Sequence, residues 1–344
     1  MQLLEFFYEL PWHKEKLLPR KQYIPLTKRL CINGPKYSGR SSLLKKMAYD
    51  TFEPKKVLFI DCEDLRWNAL DKSDFEHFIR THSIELLIVA NYDGFELPEA
   101  NHIWISTQRK LDGFEHISLS NLDFEEFLLF DRNNDPKAAF SHYLKNGNAP
   151  AIYKEPTATF SQNLLRLTFK NDLSIFKTIA YYQGQSVSAH FLYTRLKEHL
   201  KISKDRLYDL LYQWEEIGYI HLVPKYQAKR AAKKLFFYNF NVKSLLYVDR
   251  EFPKLFENMV YLEIDEECFY IDPLGFYLPQ KRSLILAIPF GDEVRIQIKI
   301  DQVLQKNRIE IDKIEVVTVA TSFTYEIGSI RCEVVPFYEW ALGK

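Results

Sequence analysis

The clearest chemistry-bearing spacing in the chain is Gly34-Pro35-Lys36-Tyr37-Ser38-Gly39-Arg40-Ser41-Ser42. Two glycines separated by four residues follow a short β-type run and open a helical pattern. That is the setting in which a ring of backbone N–H groups and a helix N-terminus attract phosphate. Gly34, Pro35, Lys36, Ser38, Gly39, Arg40, Ser41 and Ser42 are therefore the candidate nucleotide-phosphate contacts, with Ser41 placed where Mg2+ ligation needs a hydroxyl. Arg40 stands where such loops carry lysine. Its planar fork binds phosphate oxygens but does not replace a compact ammonium charge, so binding survives the exchange better than transfer of a γ-phosphoryl group.

A second cluster is basic. Lys225–Lys234 (KYQAKRAAKK) holds Lys225, Lys229, Arg230, Lys233 and Lys234 and no acid, in a chain whose 46 Lys plus Arg balance 46 Asp plus Glu. A basic turn beside a helix (Lys204–Glu216) suits contact with DNA phosphates, which supplies affinity rather than sequence choice. The helix weakens that reading, because it carries Asp205, Asp209, Glu215 and Glu216, while Tyr208, Leu210, Leu211 and Trp214 read as core. A solvated hairpin tip beside a packing helix is the other reading; Arg195 and Arg206 are further cations on the helices. No hydrolytic triad emerges. His190 and His199 are too far apart for a metal pair one helical turn apart, and Cys31 and Cys62 fall on strand positions where a small buried residue is expected.

These residues need elements to position them. Lys28–Asn33, Lys56–Asp61, Leu86–Ala90 and His102–Ser106 are short apolar runs alternating with helical patterns such as Ser41–Asp50. Such alternation marks a parallel sheet covered on both faces. Ser120–Asp131 opens a helical stretch. Ser174–Gln183, Ser188–Leu200 and Lys204–Glu216 read as three helices, the last ending at Gly218 in a left-handed cap. The β-type runs Tyr219–Pro224 and Lys234–Phe240 follow, and together they make a winged helix-turn-helix. A helix over Lys254–Ile264 then leads into strands over Cys268–Ile271, Ser283–Ile288, Glu293–Ile300, Lys313–Val319 and Arg331–Val335. Joints are expected near 155–165, where Lys154–Thr159 is rich in Pro and Thr, and near 245–252.

Composition sets the outer bounds. At 344 residues the chain has room for two or three domains, and its zero formal charge excludes a histone-like, uniformly basic surface. Only 11 glycines argue against solenoids and propellers, and make the pair at 34 and 39 more telling. Cys31, Cys62, Cys268 and Cys332 share no CxxC spacing, so neither a zinc site nor a disulfide framework is expected. Scattered thiols suit a reducing cytosol, and an N-terminus with acids inside its apolar run does not read as a signal peptide. The apolar runs are too short to span a bilayer, so a cytoplasmic protein without a membrane partner is expected.

With these pieces in order, the chain resembles the prokaryotic AAA-type ATPases in which a P-loop core precedes a winged helix and a restriction-nuclease-like domain. The family loop resembles GPRQVGKTTLL; here it is GPKYSGRSSLL. Val57–Asp64 matches a strand and acidic turn, Ile103–Thr107 a sensor strand ending in hydroxyls, and Leu119–Leu128 a segment similar to L-x-PLSFEEFL. Tyr143–Ile152, Leu235–Asn239, Leu255–Val260 and Ile330–Leu342 continue the series to the end of the chain. The resemblance implies an α/β P-loop NTPase parallel-sheet core with a helical extension over 1–160. A winged helix-turn-helix follows over 161–245, and a small α+β nuclease-like domain over 246–344. It also implies ATP and Mg2+ as ligands, with Ser106 and Thr107 near the γ-phosphate and Asn91 beside Ser41 at the metal.

Departures from that family bear on activity. An ATPase of this kind follows four apolar strand residues with Asp-Glu, to hold Mg2+ and orient the attacking water. Here Leu86–Val89 is followed by Ala90-Asn91-Tyr92-Asp93. Asn91 offers one neutral oxygen; Asp93 either stands displaced at the glutamate position or caps the next turn. Asp61, Glu63 and Asp64 are the neighbouring acids at the strand end. Slow or absent hydrolysis is the expectation. In the last domain the Glu-x-Lys expected of a metal-dependent nuclease falls at Ala287–Phe290 (AIPF), which has neither acid nor lysine. Asp272 is a candidate relic acid, although the spacing equally puts Phe276 at that position, and Glu257 reads as a capping or structural residue, so that domain reads as catalytically silent. The chain is thus expected to bind nucleotide as a conformational ligand, or else to serve as a DNA- or protein-binding scaffold with both sites silent.

Overall fold

The apolar runs of the first third pair into one parallel sheet. In the computed structural model, which describes residues 2–10, 20–131, 135–153, 157–249, 251–307, 309–328 and 330–343, contacts divide the chain into two compact units, Met1–Asn121 and Leu122–Lys344. The first holds α1 (Gln2–Glu9), β1 (Arg29–Asn33), α2 (Arg40–Thr51), β2 (Val57–Asp61) and α3 (Lys72–Thr81). β3 (Leu86–Ala90), β4 (His102–Ser106) and β5 (Glu115–Ser118) complete it. Strand order is β2-β3-β4-β1-β5, every pair parallel.

Alternate residues of these strands feed two cores. Leu30, Ile32, Phe59, Ile88 and Trp104 pack with Leu44 and Ala48 of α2 on one face. Leu58, Ile60, Val89, Ile103 and Ile105 pack on the other with Leu4 and Phe7 of α1 and Phe75 and Phe78 of α3. Burial on both faces is why the strands read as unbroken apolar runs. β5 does not: only Ile117 of its four residues is buried, so this edge strand has no apolar signature. From β1 the chain crosses to β2 at the far edge, leaving β1 between β4 and β5. The strand order therefore reverses direction beside β1, and in open α/β sheets ligands bind outside the carboxyl ends at such a switch.

The second unit begins with α4 (Phe124–Phe130), capped by Asp123, and α5 (Pro136–Asn146). These two helices bury Phe124, Phe127, Phe140 and Tyr143 in a core shared with Phe337 and Trp340 near the end of the chain. Of the expected joint at Lys154–Thr159, residues 154–156 lie outside the described residues, and Thr157 caps α6 (Ala158–Phe169).

Next come α7 (Leu173–Ala180), β6 (Ser186–Val187), α8 (Ala189–Lys197), α9 (Lys204–Ile217), β7 (Ile220–Val223) and β8 (Lys233–Phe237). Their strands form an antiparallel sheet in the order β6-β8-β7. Ser188 and Ser203 cap α8 and α9, and Gly218 closes α9 at φ 87°, the left-handed conformation its position called for. Leu210, Leu211 and Trp214 are buried as expected and Leu207 joins them, but Tyr208, expected in the core, is 40% exposed.

The remaining elements are α10 (Val242–Leu246), α11 (Phe252–Leu262), β9 (Phe269–Tyr270), β10 (Phe276–Leu278), β11 (Ser283–Ala287), α12 (Glu293–Lys306), β12 (Lys313–Thr318), β13 (Phe323–Ile327), β14 (Ile330–Pro336) and α13 (Phe337–Leu342). They build a six-stranded mixed sheet ordered β13-β14-β12-β11-β10-β9.

One expectation fails here. Glu293–Ile300 alternates polar and apolar residues like a strand, yet it is the first part of helix α12. β11 and β12 are parallel neighbours, so the chain must cross over between them, and a helix is the usual way to do so. Asp292 caps it, and Ile296, Ile300 and Val303 bury at helical spacing, while Val294 and Ile298 remain exposed. Among the described residues, no helix is long and apolar enough to cross a membrane.

Candidate phosphate-loop site and basic hairpin

The loop between β1 and α2 carries three inverted residues: Gly34 (φ 139°), Tyr37 (φ 66°) and Gly39 (φ 95°). Gly34 is required by contact as well as by torsion, because a Cβ there would meet the Leu119 carbonyl oxygen at 2.2 Å. Left-handed Tyr37 and Gly39 bend the chain between β1 and α2, and left-handed residues in such turns are one way in which successive backbone N–H groups come to line an anion-binding concavity. Gly39 caps α2 and Arg40 is its first residue, only 4% exposed. The Ser38 side chain is buried, and its hydroxyl has no hydrogen-bond partner among the described residues.

Side chains at the strand ends converge beside this loop. Ser41 Oγ lies 3.0 Å from Ser106 Oγ at the end of β4, and the Asn91 backbone N–H donates to the same Ser106 oxygen at 3.1 Å. Asn91 is itself left-handed (φ 52°), and its side-chain amide donates to Asp61 Oδ1 at 2.9 Å. The structure therefore brings Ser41, Ser106, Asn91 and Asp61 into one chain of contacts across β2, β3 and β4. Thr107 is buried next to them, with its N–H on Ile32 O and its hydroxyl accepting from Arg109 N–H. Lys36 pairs with Glu63 on the acidic turn after β2. Ser42 points into solvent, and so does Asp93.

The acids of this edge show in their neighbours. Burial first, then the carboxylates of Asp93, Asp61 and Glu63, push the Cys62 thiol up to about 12. Burial likewise raises Cys31 to about 11. Neither thiol is a nucleophile at neutral pH. Among the described residues, no group of three or more His, Cys, Asp or Glu side chains is placed to hold a metal. The available metal donors are the Ser41 hydroxyl, the Asn91 amide oxygen and the Asp61 carboxylate. This set fits a Mg2+ carried in on phosphates rather than one held by the protein alone.

Two supports at this edge left no sequence signal. Arg20 Nη1 donates to Ser38 O of the loop at 2.7 Å, while its Nη2 donates to Ser120 O at 3.0 Å and Asn121 O at 3.3 Å. Asn33, buried at the end of β1, donates to Arg109 O and accepts from His116 Nδ1 at 2.9 Å, tying β1 to β5. A cavity of about 670 Å³ lies at the opposite, amino ends of the strands. Its lining mixes Arg29, Arg80, Glu76, Glu85 and Glu99 without convergence on any reacting group.

The basic hairpin divides. Lys229, Arg230 and Lys233 are exposed, as a phosphate-contacting tip requires. Lys234 is not: it is 7% exposed and paired with Glu257 of α11, itself 7% exposed. Burial raises the Glu257 carboxyl and the Lys234 ammonium beside it opposes that rise. Lys225 pairs with Asp272. The backbone of this turn bonds to β9, with Tyr226 N on Tyr270 O and Tyr270 N on Pro224 O. Thus Glu257 and Asp272, the acids considered for the last domain, are partners of hairpin lysines. On the helices, Arg206 bonds Asp172 and Arg195 bonds Glu198.

No family model matches the sequence, and no curated protein matches it. Among solved structures, the chain is similar to the Orc1 protein of Aeropyrum pernix in complex with DNA. The sequences are 8% identical over 65% of this chain and 87% of that one, with a TM-score of 0.31. A likeness of that size carries no argument about function.

Proposed function

We propose that Gly34–Ser42 binds the phosphates of ATP, and that the nucleotide acts as a conformational ligand with slow or no hydrolysis. The observation that carries this is the loop itself. Inverted Tyr37 and Gly39 lead into α2 at the carboxyl edge of a parallel sheet, beside the switch in strand order. In this reading the backbone of Pro35 to Arg40 cradles the phosphates and Arg40 adds its charge. Ser106 and Thr107 approach the γ-phosphate, and Ser41 and Asn91 hold Mg2+, with Asp61 behind Asn91. Mg2+, when bound with nucleotide, neutralises charge on the β- and γ-phosphate oxygens. Weak hydrolysis follows from Arg40 in place of lysine and Asn91 in place of a metal-binding acid, while Asp93, the acid weighed for the glutamate position, is exposed. Turnover below that of a P-loop ATPase, or none, is expected, and any residual rate disappears in Arg40→Ala or Ser41→Ala.

The second unit supports a winged helix followed by a silent nuclease-like fold, with modules over about 161–245 and 246–344. Helices α7, α8 and α9 followed by the β6-β8-β7 sheet support the winged reading, and the order α11, β9–β11, α12 and β12 supports the nuclease-like one. Ala287–Phe290 offers no metal-binding acid, and metal-dependent cleavage is expected to be absent. DNA contact falls to Lys229, Arg230 and Lys233. The second reading, a non-enzymatic scaffold for DNA or a protein, draws on these exposed cations. It predicts salt-dependent DNA retention in a protein that binds no nucleotide.

A further inference from the structure

The geometry points to Arg20 as the positioning residue of the phosphate loop. This rests on the proposal that the loop binds nucleotide and adds what holds it in shape. A trans peptide is planar, with its C=O and N–H on opposite sides. Arg20 Nη1 donates to the carbonyl of Ser38 at 2.7 Å. The Gly39 N–H of the same trans peptide must therefore point to the side opposite Arg20. Fixing that carbonyl fixes the direction of an N–H that phosphate needs.

The same guanidinium anchors itself on a second support. Its Nη2 donates to Ser120 O and Asn121 O, just after β5, where Leu119 N bonds Asn33 O and Leu119 O touches Gly34. The loop is thus held at both ends against the segment 119–121: at its start by the close approach of Gly34, and near α2 through Arg20. Bonds to a guanidinium are charge-assisted and stronger than neutral ones. Chains of hydrogen bonds also reinforce one another, so an anion on the Gly39 N–H makes Ser38 O a better acceptor for Arg20. Binding at the loop should in turn tighten the 119–121 segment, because linkage is reciprocal. Lysine cannot substitute fully, since a single ammonium does not span three carbonyls as the fork does.

The test compares wild type, Arg20→Ala and Arg20→Lys, each folded by circular dichroism and titrated well below its melting temperature. Probes are a fluorescent ATP analogue with Mg2+ and, in competition, inorganic pyrophosphate. Arg20→Ala is expected to weaken both ligands by the same factor, about tenfold or more, and Arg20→Lys by less. Equal weakening places the loss in the phosphate contact, which a purely structural role would not do. Hydrogen exchange on the unmutated protein is the second measurement: Mg-ATP should slow exchange in peptides covering 36–41 and 119–121. Wild-type binding with an unchanged affinity in Arg20→Ala, or ligand protection confined to 36–41, overturns the role of Arg20 and leaves the loop's function standing. No binding by wild type overturns both.

Discussion

The carboxyl edge of the first sheet and the basic hairpin of the second unit both hold residues suited to phosphate, and they differ in how those residues are placed. At the sheet edge, Ser41, Ser106, Asn91 and Asp61 touch in sequence beside a loop shaped by inverted residues. At the hairpin, two of the five cations are paired with acids of the same chain, and one of those pairs is buried. The difference lies in what each motif is made of. A phosphate loop is built from backbone, whose course follows from glycine spacing and flanking elements. A basic patch is built from long side chains, each free to choose a partner far away in sequence.

The sharpest way to break that contrast is at the buried pair. Removing one member leaves the other charge buried and uncompensated, so Glu257→Ala should cost about 3–5 kcal/mol in urea unfolding. The double change Lys234→Met with Glu257→Met should recover most of it. If Lys234→Met is instead silent in stability but lowers DNA retention, the lysine faces solvent and the hairpin cations act together.

His221 offers a pH test of the same packed unit. Its ring lies against Tyr261, and burial lowers its pKa to about 4, below the ordinary 6.5. The folded state thus takes up its proton later than the unfolded chain. Its stabilising contribution is complete above pH 6.5 and is lost as pH falls towards 4, at most about 3 kcal/mol. Urea midpoints measured across that window should decline less in His221→Phe than in wild type. An identical decline would mean the ring is solvated.

In the first unit, Gly34→Ala forces a Cβ against Leu119 O and strains a residue at φ 139°. A loss of about 1–3 kcal/mol is expected, with weaker nucleotide binding. Unchanged affinity would show that the loop's start is not part of the site.

The smallest effect on stability should come from the hairpin tip. Neutralising Lys229, Arg230 and Lys233 together should move unfolding by no more than about 0.5 kcal/mol. If the tip binds DNA, the slope of log affinity against log salt should fall by up to about 3. A flat salt response in the wild type would leave only a protein partner for this surface.

Much of the fold was legible because burial on both faces writes continuous apolar strands into the first unit, and because serine and aspartate caps mark the helices. β5 was silent, since an edge strand with one buried residue has nothing to repeat. The first part of α12 reads as a strand because Val294, Ile296, Ile298 and Ile300 alternate with polar residues. Only the parallel pairing of β11 with β12 explains why that stretch is helical, and pairing is not local. The site shows the same limit. Gly34 to Ser42 could be read from spacing alone. Arg20, by contrast, meets Ser120 across 100 residues, and Lys234 meets Glu257 across 23. No local pattern announces either contact.

The most direct test of the central claim is equilibrium binding of a fluorescent ATP analogue, with Mg2+, to the wild type and to Gly39→Asp. Saturable binding that is lost when a carboxylate replaces Gly39 at the mouth of α2 is the predicted result. No binding at millimolar nucleotide, or equal binding by both proteins, would contradict it.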